Sequence, residues 1–271
     1  MVLRLVIKAC TRIPLEVEGI TPDQVRGLSA TEIAGQEIFH GNEKVPLGDF
    51  FAISGDAGDG VMEWVGDLRG VHWIGAGMQT GRLHVLGSAG RHVGSEMRGG
   101  EILVEEEVGD WLGGEMHGGR IWVRGQAGHL VGAAYRGGTR GMTGGEIFVQ
   151  GAAGNEVGSV MRRGLIAIGG RVGDLTGFNM RAGTVVVTGE SGIRQGACMR
   201  RGTLLFLGAE SPPVLPTFRY GCTCQPVVLS LLVRHLQRQA FPIPEARLRG
   251  GVRLYHGDLL EGGRGELLLP G

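Results

Sequence analysis

From Gly81 to Tyr220 the apolar positions of the chain fall into a fixed frame. Each unit opens on a glycine and carries apolar residues at its third and fifth positions. In most units glycines follow at the seventh (Glu106 being the exception), tenth and fourteenth, then a methionine at the seventeenth and a basic residue at the eighteenth. The units open at Gly81, Gly100, Gly119, Gly145, Gly164, Gly183 and Gly202; six of the seven are 19 residues long, and the one opening at Gly119 is seven longer. The stretch GEIFVQGAAGNEVGSVMRR, from Gly145 to Arg163, shows the frame in full. The third position runs from Leu83 through Ile102, Ile121, Ile147, Ile166 and Val185 to Leu204, and the fifth from Val85 to Phe206. A spacing of two, rich in β-branched residues, places both on one face of a strand.

Fixed-step glycines suit corners that need a left-handed backbone or close chain approach. In helices each would cost roughly 1 kcal/mol, which excludes a helical repeat. A short fixed period signals a solenoid whose units bury their apolar side only against neighbours. The pattern therefore predicts an all-β stack of parallel coils of about 19 residues each. Equivalent residues then lie about 4.8 Å apart. The seventeenth position becomes an interior ladder of Met97, Met116, Met161, Met180, Met199 and Phe218. In the long unit either Tyr135 or Met142 fills that slot, and the extra residues around 137–144 bulge outward as a loop. Such a loop is either a tolerated insertion or a partner contact.

Outside the frame the chain divides into an N-terminal cap (1–43), the repeat body (44–221), and a C-terminal helix and tail (222–271). Segments 2–7 and 13–17 read as short strands. Thr21-Pro22-Asp23 reads as a helix start, and Ser29 with Glu32 has capping-box spacing. Phe50, Phe51 and Ile53 supply one imperfect strand and Val61–Val65 another, while Ile74, Gly75 and Met78 already fit the frame. Residues 226–240 form an amphipathic helix whose face Val228, Leu231, Leu232 and Leu236 closes the far end of the stack or docks on a partner.

Composition narrows the function. Glycine supplies 53 of 271 residues, nearly three times the usual share of about 7%, yet no every-third-residue rule points to collagen. The net charge is zero, which implies no bulk attraction to nucleic acid or membrane. No signal peptide or membrane span is evident, so a cytoplasmic protein is expected. Cys10, Cys198, Cys222 and Cys224 provide no disulfide framework in a chain of this length. His92 and His129 sit two coils apart, roughly 10 Å by the strand spacing. Cys222-Thr223-Cys224 lacks the second ligand pair of a tetrahedral metal site. No catalytic group, metal site or dinucleotide motif is assigned.

One feature exceeds a purely structural pattern. The eighteenth position is basic in nearly every copy: Arg98, His117, Arg136 under the early alignment of the long unit, Arg162, Arg181, Arg200 and Arg219, with Arg163 and Arg201 directly following two of them. Stacked guanidiniums at about 4.8 Å repel and need compensation. Either they bond corner carbonyls and pair with Glu101, Glu115 and Glu146, or they line a groove for an extended polyanion or a partner's acidic face.

The chain also resembles a known family. PLEV at 14–17, KVPLGDFF at 44–51, IGAGM at 74–78, the G-x-I-x-V and GxxVGxxM blocks, YRGGTRGMTGGEI at 135–147 and HGDLLEGGRGEL at 256–267 resemble the C-type subunit of formylmethanofuran dehydrogenase. The repeats are also similar to the C-terminal glycine-repeat domain of glutamate synthase, a right-handed parallel β-helix; the flanks favour the formylmethanofuran dehydrogenase family. The resemblance implies a right-handed parallel β-helix that is a non-catalytic scaffold binding no cofactor itself. Its complex moves a formyl group from tetrahydromethanopterin to a methanofuran-type carrier and hydrolyses it to formate, with partners of the A, B and D type. The alternatives are a tungsten or molybdenum complex reducing CO2, or a glutamate-synthase-like spacer. A scarcity of lysine, only Lys8 and Lys44, leans toward the bacterial formyltransferase/hydrolase complex. Because carriers of this type have glutamate-rich tails, the arginine stripe is expected to guide such a tail.

Overall fold

A computed structural model describes residues 2–9 and 12–271, so Cys10 lies outside the described residues. The chain is built on a sheet of 13 strands. Its spine is a run of parallel strands: Val61–Val65, Arg82–Leu86, Glu101–Val104, Arg120–Val123, Glu146–Val149, Leu165–Ile168, Thr184–Val187 and Arg201–Phe206. In register, Leu83 lies beside Ile102, Ile102 beside Ile121, and Ile121 beside Ile147, as the repeat requires. A second parallel row links the ninth positions, from Ala89 through Val108, Ala127, Ala153 and Val172 to Ser191. The copies opening at Gly81 to Gly183 thus contribute to two parallel rows, and hairpins between successive copies are absent along this run.

Five columns fill the interior. The third, fifth and seventeenth positions are buried as expected; the ninth and thirteenth join them, the latter through Val93, Leu112, Val131 and Val157. The methionine tips reach the opening glycine of the copy after next, where a Cβ at Gly119 would meet Met97 Cε at 2.7 Å and one at Gly183 would meet Met161 Cε at 2.9 Å. Met142 makes the same contact with Gly164, at 2.7 Å. It therefore fills the slot in the long unit, and Tyr135 does not. The bulge lies slightly earlier than expected, with residues 136–140 exposed.

The corner between the ninth and seventeenth positions uses left-handed backbone even without glycine: His92 (φ +63°), Trp111 (+57°), Glu156 (+60°) and Leu175 (+63°) at the twelfth position, and Glu96 (+57°) and Asn179 (+53°) at the sixteenth. Hydrogen bonds to the next copy hold this geometry, for example His92 N–H to Asp110 O (2.9 Å) and Glu96 N–H to Gly114 O (2.8 Å). The eleventh position adds a side-chain ladder. Asp110 Oδ1 accepts the His129 N–H (2.8 Å), His129 Nδ1 that of Asn155 (2.9 Å), Asn155 Oδ1 that of Asp174 (3.0 Å), and Asp174 Oδ1 that of Ile193 (2.9 Å). The tenth residue is glycine because a Cβ at Gly173 or Gly192 would collide with the Oδ1 of Asn155 or Asp174.

The ends are held by the same sheet. Leu3–Ile7 pairs parallel with Val61–Val65 and antiparallel with Phe51–Ser54. Ser29 caps the helix Ala30–Ala34 with Glu32 completing the capping box. At Thr21 only turns form, with Gln24 and Val25 N–H bonding Thr21 O, and no helix follows. After Phe206 the chain leaves the stack, makes the strand Arg219–Cys224, and returns as Val252–Gly257 and Arg264–Pro270. The last of these lies parallel to Arg201–Phe206, with Gly265 beside Gly202 and Leu267 beside Leu204. The tail therefore supplies the next strand of the stack.

The helix Val227–Arg238 does not close the end of the stack. It packs across the outer face of the sheet, where Leu229, Leu236 and Phe241 form a second core with Phe148, Ala167, Val186 and Leu205. Its buried face is rotated from the expected one, since Val228 and Leu231 are each 60% exposed. The sequence holds two overlapping apolar stripes on this helix. The apolar outward residues at the fourth strand positions select the one that is buried.

Candidate functional site: an arginine groove

The seventeenth-position carbonyls organise the site. Met142, Met161 and Met180 O accept the N–H groups of Arg162, Arg181 and Arg200, each at 2.8 Å. This fixes the three arginines one above another along a corner of the stack. They line an open groove of about 860 Å³ together with Arg140, Arg163, Arg201 and Arg264, and with Leu260–Gly262 from the returning tail. Arg264 sits beside Arg201 in the sheet register.

Seven arginines thus face one acid. Glu261 Oε2 lies 2.7 Å from Arg200 Nε. Among the described residues, the guanidiniums of Arg140, Arg162, Arg163, Arg181, Arg201 and Arg264 make no ion pair or hydrogen bond, and Arg181 Nε is buried without a partner. The acids that could have compensated the stripe are used elsewhere. Glu101 and Glu146 flank Arg120 at 3.3 and 3.1 Å, Glu146 also meets His235 at 2.5 Å, and Glu115 accepts the Tyr135 N–H at 3.0 Å. A cluster of like charges at this density is repulsive unless an anion binds it. Guanidinium groups present planar forks suited to carboxylate or phosphate oxygens.

Three of the expected stripe members lie elsewhere. Arg98 is exposed and separated from Arg162 by His117 and Thr143, whose side chains bond each other at 2.7 Å. Arg136 is in the loop of the long unit, because Met142 takes the seventeenth position and Thr143 the eighteenth. Arg219 stands in the strand paired with Val252–Gly257; above Arg200 it is Asp258 whose N–H bonds Met199 O, at 3.2 Å. Arg140, Arg264 and Glu261 join instead. The motifs that contain them were visible in the sequence, but nothing local places them at this corner.

The other candidates form no site. His92 is stacked between Trp73 (ring centroids 4.0 Å apart) and Trp111 (5.3 Å), with Tyr135 tilted against it at 5.7 Å. Burial, then the His72 and Arg91 charges, lower His92 to about 4. Burial raises Tyr135 to about 12, against the Ser95 hydroxyl beside it. His129 belongs to the eleventh-position ladder, so the two histidines do not converge. Cys222 and Cys224 lie on the sheet's terminal strand, and burial together with the Cys222 thiol raises Cys224. Among the described residues no group of three or more His, Cys, Asp or Glu side chains could hold a metal ion.

No family model matches the chain. Over 91 residues, 33% of the chain, it is 44% identical to the C-type subunit of the molybdenum-containing formylmethanofuran dehydrogenase 1 of Methanothermobacter thermautotrophicus, covering 23% of that protein. It is 40% identical over 87 residues to the C-type subunit of the tungsten-containing formylmethanofuran dehydrogenase 2 of the same organism, covering 32% of it. The matched stretches thus span about a quarter to a third of these curated relatives. The whole fold is similar to a chain in the crystal structure of the formyltransferase/hydrolase complex (FhcABCD) from Methylorubrum extorquens in complex with methylofuran. That match has a TM-score of 0.90 at 32% identity and covers 99% of both chains.

Proposed function

The chain belongs to the family of formylmethanofuran dehydrogenase C-type subunits, and on that footing we propose that it is a non-catalytic scaffold of a formyltransferase/hydrolase-type complex. In this reading it is a right-handed parallel β-helix with residues 44–221 as its body, 1–43 as an N-terminal cap and 222–271 as a C-terminal helix and tail. Its handedness is the one that connections between parallel strands in one sheet take in about 98% of cases. It holds A, B and D type partners in the cytoplasm. Its arginine groove guides the acidic tail of a methanofuran-type carrier between active sites on those partners. Support for the complex comes from end-to-end similarity to a chain crystallised in one that contains methylofuran.

The observation that carries the groove's role is the set of six guanidiniums without a described acid partner, one with a buried, unpartnered Nε. Their row follows the stack, which suits an extended chain of carboxylates better than a compact anion. Replacing Arg162, Arg181 and Arg200 with Gln and titrating a hexaglutamate peptide at rising salt tests it. Weaker binding with a shallower salt dependence is expected; unchanged affinity and slope would remove the reading. A second reading, a CO2-reducing dehydrogenase, is favoured by the names of the curated relatives. Isolating the complex from its host and assaying molybdenum and tungsten separates the two.

A further inference from the structure

The groove carries its own acid, held there by the loop at 258–263. Asp258 is 4% exposed, and its carboxylate accepts the Cys198 and Leu260 N–H groups, both at 3.1 Å. Asp258 O accepts the Gly263 N–H at 2.9 Å, closing the loop. The loop is thereby tied to the winding below it, and its one polar side chain directed at the arginines is Glu261. That carboxylate meets only the Nε edge of Arg200, and the two side chains are 31% and 54% exposed. No other partner of the Glu261 carboxylate is found among the described residues.

Resting on the groove reading above, we propose that Glu261 is a resident carboxylate that a bound polycarboxylate displaces from Arg200, so that it limits how tightly the groove holds its ligand. The chemistry is that of the polycarboxylate itself, a carboxylate on a guanidinium edge. The pair is exposed and uses a single contact, so breaking it is inexpensive. The neighbouring arginines, by contrast, have no acid to surrender. Glu261 therefore favours exchange over retention, which suits a tail that must leave as readily as it enters.

The test uses the full chain and a fluorescent hexaglutamate peptide at low and moderate salt. Glu261→Gln should bind about two- to fivefold tighter, the range an exposed ion pair supports. In an Arg200→Gln background the same change should add nothing, because the competitor's partner is gone. Equal or weaker binding by Glu261→Gln overturns the proposal and makes Glu261 an organiser of Arg200. A duplex DNA probe that binds as tightly as the peptide overturns the carboxylate assignment. If the unaltered chain binds no peptide, the groove reading falls and this inference with it. If it binds in an arginine-dependent way while Glu261→Gln gains nothing, only the inference falls.

Discussion

In the copies opening at Gly81 and Gly100 the outward strand residues are His84 and Leu103, on a face where Glu105 meets His84 at 2.6 Å and Arg124 at 3.1 Å. In those opening at Gly164 and Gly183 they are Ala167 and Val186, fully buried beneath the C-terminal segment. At the corner the early copies show Arg98 and His117, whereas the late ones show Arg181 and the Arg200–Arg201 pair in the groove. At the twelfth position His92 and Trp111 stack, while Leu175 and Arg194 replace them later. Inside, the two regions match: Leu83, Met97, Val185 and Met180 are all 0–1% exposed. Stacking dictates what can sit inside a winding, because each interior side chain must fit its copies above and below. Outward positions are free of that constraint, so function accumulates there.

The comparison can be broken most forcefully at the shared interior. Met180→Ala and Met97→Ala should each lower stability by about 2–5 kcal/mol in urea unfolding, through the same kind of void. A large difference between them would show that the two regions are not equivalent inside. The covered outer face comes next. Leu236→Ala should cost toward the lower end of about 2–5 kcal/mol, whereas Leu231→Ala should stay within about 0.5 kcal/mol. The reverse order would restore the helix face expected from sequence.

The corner arginines give a binding effect. The triple Gln variant at Arg162, Arg181 and Arg200 should weaken hexaglutamate binding on the order of tenfold, each partly exposed contact being worth up to about 1 kcal/mol. Arg98→Gln should leave it unchanged. A smaller effect belongs to the eleventh-position ladder. Asp174→Ala leaves the Ile193 N–H without its acceptor and should cost about 1 kcal/mol, while Asp174→Asn, which keeps an oxygen there, should be close to neutral.

A further expected effect is a pH dependence confined to the early region. His92 stays neutral in the fold down to about 4, while in the unfolded chain it protonates near 6.5. Between those values the unfolded state binds the extra proton, so stability falls as pH drops through that window. His92→Phe should flatten this part of the profile while keeping a ring between Trp73 and Trp111. An unchanged profile would show that His92 is not its source.

Much of the core was legible because its signal is local and repeated. The third, fifth and seventeenth positions are apolar in copy after copy. The ninth and thirteenth were missed because Ala, Val, Ser, Thr and Gln alternate there, and Thr176 is buried by bonding its N–H to Gln195 Oε1 at 2.7 Å. Arg219 was placed in the stripe by counting, since the frame cannot announce where the chain leaves the stack. The apolar run Phe148, Ala167, Val186 and Leu205 did carry a sign that something covers that face.

The sequence by itself determined the period, the parallel register and the methionine column, because each follows from residues repeating at one spacing. Only the tertiary structure decided that Arg264 and Glu261 complete the corner and that the helix lies across the sheet. Those contacts join Arg200 to a residue 61 positions away, and His235 to one 89 away. Pairings at such separations are selected by which apolar and charged surfaces remain uncovered once the windings have stacked, and no local pattern encodes that remainder.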